Sequence, residues 1–161
     1  MKKTFWLFLF FFGFCALSFA RAGLGAAFSY NVSTVSCAEA AFSARSDESP
    51  WCVFFNSRLN QNSISLCLDD WFINERISEH ADYFVLWGMS YGAVFESKET
   101  EFDMGCRFGA GGDFFFCKRR LELFAQLVWN PYFGIRKEDG ELSPVFRPVN
   151  FPCSAGIRLW F

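Results

Sequence analysis

The sequence predicts an all-β fold: a closed, antiparallel, up-and-down transmembrane β-barrel of about eight strands. Three observations carry this. Long stretches alternate strictly between apolar and polar or glycine positions, the signature of strands with period two. Each such stretch is about ten residues long and is followed by a polar, often acidic connection, the spacing of membrane-barrel strands. The chain then ends on an aromatic residue, in "PCSAGIRLWF", with no polar tail.

The first segment is of a different kind. Met1-Lys2-Lys3 is a positive start, Phe5 to Ala20 is an uncharged apolar run, and Ala20-Arg21-Ala22 has the small-x-small pattern of a signal-peptidase site. Residues 1–22 are therefore expected to be a cleaved signal peptide, with cleavage after Ala20 as the second choice. The run is shorter than the ~20 residues a spanning helix needs. Residues 23–161 are expected to form a single outer-membrane β-barrel domain.

Without Lys2, Lys3 and Arg21, twelve basic residues stand against seventeen acidic ones, a net charge of about −5. That balance argues against nucleic acid and against a polybasic membrane patch. Aromatic residues make up 21% of the chain. After the leader no apolar run approaches the ~18 residues of a membrane helix, so an exported chain of this kind is either a soluble domain or a membrane barrel.

The strands can be read in order. From 24 to 32, Leu24, Ala26, Phe28, Tyr30 and Val32 oppose Gly25, Ala27, Ser29 and Asn31. From 36 to 44, "SCAEAAFSA" supports a strand and a loop about equally. Weaker alternation covers 51–59 and 63–69, joined by "LNQN". From 81 to 91, Ala81, Tyr83, Val85, Trp87, Met89 and Tyr91 oppose Asp82, Phe84, Leu86, Gly88 and Ser90.

The segment from 102 to 116 gives the plainest alternation: phenylalanines, Met104 and Cys106 on one parity, Asp103, Arg107, Asp113 and glycines on the other. A tight turn at Cys117-Lys118-Arg119-Arg120 leads into 121–130, where Leu121, Leu123, Ala125, Leu127 and Trp129 oppose Glu122, Phe124, Gln126, Val128 and Asn130. The last strand, 149–161, sets Phe151, Ile157, Leu159 and Phe161 against Asn150, Ser154, Gly156 and Arg158. Phe161 and the Lys118-Arg119 turn are expected on the periplasmic side, and 136–147 as an external loop.

Here the apolar parity is large and aromatic, and the polar parity is rich in glycine, serine and occasional charge. This is the distribution of a barrel with lipid outside and a polar interior. Trp51, Trp71, Trp87, Trp129, Tyr132 and Trp160 lie mostly near strand ends and are expected to form aromatic girdles. Arg58, Asp103, Arg107, Glu122 and Arg158, with Asp82, Asp113 and Gln126 on the same parity, are expected to form a lumen polar network. Lining a narrow ion path is the less favoured reading, because about eight strands enclose room only for side chains.

"FGAGGDFFFCKRRLELFAQLVWNPYFGIR", then a loop, then "AGIRLWF", resembles the last three strands of small eight-stranded outer-membrane barrels of the OmpX/OmpW-like superfamily, the spirochaete type above all. The resemblance runs from about Asp82 to Phe161 and implies fold and location without catalytic residues. The six cysteines after the leader depart from that pattern. Phe161, Leu159 and Ile157 resemble the signal by which the barrel assembly machinery accepts its substrates. That machinery and outer-membrane lipid are the expected partners, and an external ligand is left open.

Cys37, Cys52, Cys67, Cys106, Cys117 and Cys153 form an even set in an oxidising compartment, and Cys52 with Cys67, on one parity of one hairpin, is the best candidate disulfide. One histidine and no CxxC pair give no zinc site, and no metal or cofactor is expected. His80, with Ser78 or Asp82, is the single constellation an enzyme could use, and a surface imidazole is the favoured reading, so no catalytic residue is assigned. The expected function is an integral outer-membrane barrel with a structural or surface-interaction role, porin-like at most as a narrow channel for small solutes. The alternatives are a soluble secreted β-barrel binding a small apolar ligand and a barrel-embedded lipid-modifying enzyme.

Overall fold

A computed structural model of the chain describes residues 21–33, 37–96, 99–138 and 140–161. Its ten strands are β1 (Ala22–Ser33), β2 (Cys37–Ser46), β3 (Trp51–Arg58), β4 (Ser63–Arg76), β5 (Ala81–Phe95), β6 (Glu99–Phe116), β7 (Leu121–Trp129), β8 (Tyr132–Glu138), β9 (Glu141–Arg147) and β10 (Asn150–Trp160). Neighbouring strands pair antiparallel from β1 through β6; β6 pairs with β7, β7 with β10, and β10 with β1. These eight staves close the barrel.

The remaining two strands grow out of it. Asn130-Pro131 separates β7 from β8, because proline cannot donate to a ladder. Pro148 likewise separates β9 from β10. The lower half of β6 pairs with β7 and its upper half with β8, so β8 and β9 form a hairpin standing on the rim. The expected external loop over 136–147 is thus mostly strand, with β8 reaching Glu138 and β9 beginning at Glu141.

The weak segments are also strands. Residues 37–46 form β2, and β4 continues past Asp69 to Arg76 through a register shift between Asp70 and Ile73. Residues 1–20 of the expected leader lie outside the described residues. Its last two residues join the rim that carries both chain ends: Ala22 accepts the Phe161 N–H at 3.0 Å and Arg21 accepts that of Asp47 at 3.2 Å.

On this lower rim the 117–120 turn contains no glycine, yet Cys117, Lys118 and Arg119 have φ of 52°, 59° and 62°. Left-handed backbone costs an ordinary residue about 1–2 kcal/mol. Arg119 offsets part of this by binding Asp82 and lying over the Phe115 ring at 3.7 Å.

Parity, more than position along a strand, decides where the aromatics go. Trp51, Trp87 and Trp129 are 44%, 40% and 44% exposed on the outer wall. Trp71, Tyr132 and Trp160 are buried inside, which corrects the expected girdle of six. They share the parity of Asp69, Asn130 and Arg158, and Trp71 stacks on Phe84 with ring centroids 3.5 Å apart.

Glycine is required where these large groups meet the wall. A Cβ at Gly25 would collide with the Ile157 carbonyl oxygen and crowd Arg158. Gly25→Val should therefore lower stability by about 1–3 kcal/mol, the range for overpacking a filled interior. The check is the fraction of heat-modifiable, compact barrel on a gel run without boiling, which should fall.

Candidate functional site: the lumen

The inward parity fills the lumen in layers, and the lowest is ionic. Arg158, on β10, is fully buried. Its Nη1 pairs with Glu122 of β7, directly opposite in register. Nε donates to Ser43 Oγ at 2.6 Å and Nη2 to Cys52 Sγ at 3.1 Å, while the guanidinium lies 3.9 Å from the Phe124 centroid. Glu122 also accepts the Trp160 indole N–H at 2.6 Å.

Arg45, on β2, reaches across to Asp113 at 3.4 Å and Glu122 at 3.9 Å, and its guanidinium lies 4.0 Å from the Trp71 ring. Two arginines thus face two carboxylates, each arginine over an aromatic face. Above them Arg107 binds Asp69 with two hydrogen bonds of 2.6 and 3.0 Å. Phe54, Trp71, Phe84, Leu86, Phe124 and Val128 pack around these pairs and fill the lower lumen with side chains.

The upper half is polar and holds a cavity of about 50 Å³. That volume suits a few waters, each needing about 10–15 Å³ by this measure. Ser29, Asn31, Gln126, Asn130, Asn150 and Ser154 line its walls. Ser154 donates to Ser29 at 3.0 Å, and Ser90 to the Asn130 side-chain oxygen at 2.9 Å. Arg58 closes one side, bound to Glu39 at 3.2 Å and to Gln61 at 3.1 Å. On the hairpin above, Arg136 binds Glu99 and Glu101, each at 2.8 Å.

The structure places Arg58, Asp103, Arg107, Glu122 and Arg158 on the lumen side, but as separate pairs rather than one network. Arg158 meets Glu122, whereas Arg58 and Arg107 pair with Glu39 and Asp69. Asp103 lines the upper cavity and has no ion pair among the described residues. Arg45, Glu39 and Asp69 are the partners that sequence reading passed over. Their signal was parity: Glu39 and Arg45 alternate with the outward Ala38, Ala40, Phe42 and Ala44, and Asp69 follows Cys67 by two.

Cys52 and Cys67, the expected bridge, are both free and buried in the structure. Register explains the separation: Cys52 stands opposite Asp69, and Cys67 opposite Phe54. Each thiol has its own donor, Arg158 for Cys52 and the Asn56 amide at 3.3 Å for Cys67. At the lower rim, Ser78 Oγ accepts the His80 backbone N–H at 3.3 Å, and the Asp82 carboxylate is bound by Arg119 with Arg76 at 3.9 Å. Asp82 is therefore engaged by arginine rather than by the imidazole. Ile157, Leu159 and Phe161 face outward and are 44%, 51% and 75% exposed.

No family model matches the chain, and no curated protein matches it. Among solved structures, Neisserial surface protein A superposes with a TM-score of 0.51 at 13% identity, over 88% of this chain and 96% of that one. A major outer membrane protein from Thermus thermophilus superposes with a TM-score of 0.49 at 11% identity, over 88% and 100% of the two chains. The likeness to the Neisserial protein is one of fold, an antiparallel β-barrel.

The ionic layer sets a clear expectation. Arg158→Met leaves Glu122 buried beside a single remaining cation and should lower stability by about 3–5 kcal/mol. Pairing it with Glu122→Leu removes both charges and should restore at least half of that loss. Urea titration in lipid vesicles, followed by gel mobility, measures both variants.

Proposed function

We propose that the chain is an integral outer-membrane β-barrel with a structural or surface-interaction role, its lower rim in the periplasm and its β8–β9 hairpin outside the cell. The observation that carries this reading is the direction of the two parities. Apolar side chains cover the outer wall, from Phe28 and Phe42 to Phe102, Phe108, Leu127 and Ile157, while the ionised pairs lie within. At about 3.3 Å per residue and a tilt of ~40°, the apolar face of β6 from Phe102 to Phe116 covers roughly 35 Å along the barrel axis. That is enough for a hydrocarbon layer and its margins. A soluble barrel with an internal apolar ligand would need the opposite orientation.

The plugged lower lumen favours a scaffold over a channel. Arg158, Glu122 and Asp69 have no solvent exposure, and passage of a solute would require breaking their pairs. The affiliation with OmpX/OmpW-like, spirochaete-type barrels rests on the sequence motifs of residues 82–161. Release of residues 1–20 alone would leave Arg21 and Ala22 to make their contacts at the rim, which favours the second-choice cleavage after Ala20.

Phe161, Leu159 and Ile157 act in this reading as the insertion signal read by the barrel assembly machinery. Phe161 adds only one backbone bond to the closed ladder, so its role in recognition can be separated from its role in stability. Deleting Phe161 should sharply reduce the amount of outer-membrane barrel in cells, while the purified deletion variant unfolds in urea near the wild-type midpoint. Alkaline carbonate extraction of membranes tests location: the protein should stay in the pellet, and release as a soluble monomer would end the membrane reading.

A further inference from the structure

Above the closed ring, charge and apolar surface are sorted by face. Among the described residues of β6, β8 and β9 the charged side chains share the inward parity, Glu99, Glu101, Arg136 and Arg147 among them, with one exception. Lys137 stands on the outward parity, is exposed, and has no ion pair among the described residues. Beneath it the outward face is apolar: Phe102 and Ile135 stand opposite one another, and two residues lower Met104, Phe133 and Phe146 form the next row.

Below that row the wall is indented. Cys106 is the small member of the outward series Phe102, Met104, Cys106 and Phe108. Its neighbour across the sheet is the Asn130-Pro131 break, where the Pro131 carbonyl accepts the Cys106 N–H at 3.3 Å. The gap is a groove of about 410 Å³ over Cys106, between Trp129 on one side and Phe133 with Phe146 on the other. Ligand clefts commonly measure about 300–1,000 Å³. One lip is fixed, because the Trp129 indole N–H donates to the Pro148 carbonyl at 2.8 Å and the ring lies 6.2 Å from that of Phe108. No charged residue lines the groove, and the Tyr91 hydroxyl at its edge already donates to Met89 Sδ at 3.3 Å. Such a lining suits hydrocarbon and offers little to a polar ligand.

We propose that this groove holds one acyl chain of an anionic membrane phospholipid whose phosphate is bound by Lys137. The heights agree. Cys106 lies ten residues from Phe116 on β6, roughly 25 Å along the axis at ~40° tilt, which is the height of the apolar band of outer-membrane barrels. Lys137 is four residues beyond Phe133, about 13 Å further along β8, at headgroup level. A lipid with its phosphate at the lysine therefore lays its chain over Ile135 and Phe102 and ends it in the groove. The apolar surface is continuous with the wall below, which favours lipid over a protein partner. The inference rests on the membrane reading and goes beyond it by naming a preferred lipid and its seat.

The test uses the purified barrel carrying W51F and W87F, in which Trp129 is the outward tryptophan among the described residues. In phosphatidylcholine vesicles, a small fraction of phosphatidylglycerol with brominated chains should quench Trp129 more than the same fraction of brominated phosphatidylcholine does. The preference should be roughly fivefold, the scale of one lysine near an anionic lipid surface. K137Q should abolish it, and C106F, which fills the groove, should lower it. K118Q, which removes a cation at the opposite rim, should leave it unchanged.

Equal quenching by the two lipids overturns the proposal, as does a preference that persists undiminished in K137Q or C106F. Should C106F not fold, alkylation of the native thiols decides. In detergent micelles, phosphatidylglycerol should slow the reaction of Cys106 with N-ethylmaleimide relative to phosphatidylcholine. Cys153, exposed elsewhere on the wall, should react equally with either lipid. Equal rates at Cys106 reject the site. Equal quenching from a protein that stays in the carbonate pellet rejects the lipid site alone, whereas release by carbonate ends the membrane reading itself.

Discussion

Everything in this barrel follows from the need to pair backbone polar groups where water cannot reach them. In the membrane reading a strand edge in lipid would have no partner for its N–H and C=O groups, so the sheet must close. Closure with eight staves leaves an interior only as wide as the side chains projecting into it. Inward residues from opposite walls therefore touch, and their chemistry has to agree. Arg158 is the clearest case: it extends from β10 to meet Glu122, Ser43, Cys52 and the face of Phe124 at once. Gly25 beside it is the space that this reach requires.

The same narrowness explains why the charges come in local pairs. A buried carboxylate is tolerated only with a cation and hydrogen bonds at hand. Arginine suits this task because its planar group binds two oxygens and also lies flat on an aromatic ring. Arg45 over Trp71 and Arg107 against Asp69 use one property each. Inward aromatics, misplaced at a lipid interface when judged by position along the strand, are the surfaces on which these guanidinium groups rest.

Much of this was legible in the sequence, and the rest was hidden for physical reasons. From Asp82 to Trp129 the two faces differ sharply in polarity, so both the strands and their facing could be read. From Cys37 to Asp69 the contrast fails, because Cys52, Phe54 and Cys67 face inward and are themselves apolar. Arg45 and Glu39 were consequently missed as partners, although their parity was visible. Which carboxylate each arginine would choose depends on strand stagger and on which walls face one another, and neither is encoded in any one segment. The charged run from Arg136 to Ser143 looked like a loop because Arg136, Lys137, Glu138 and Glu141 put charge on both parities, which hides the alternation.

The proline breaks at Pro131 and Pro148 give the molecule two regions with different tolerances. Below them the ring of staves is complete, and a change of one residue in length would shift every inward group. Above them, among the described residues, β8 and β9 join the sheet through β6 alone, and the closed circuit does not pass through them. The crown can therefore lengthen, shorten or change its surface residue by residue while the ring keeps its register. A barrel built this way carries an interchangeable outer face on an inflexible foundation.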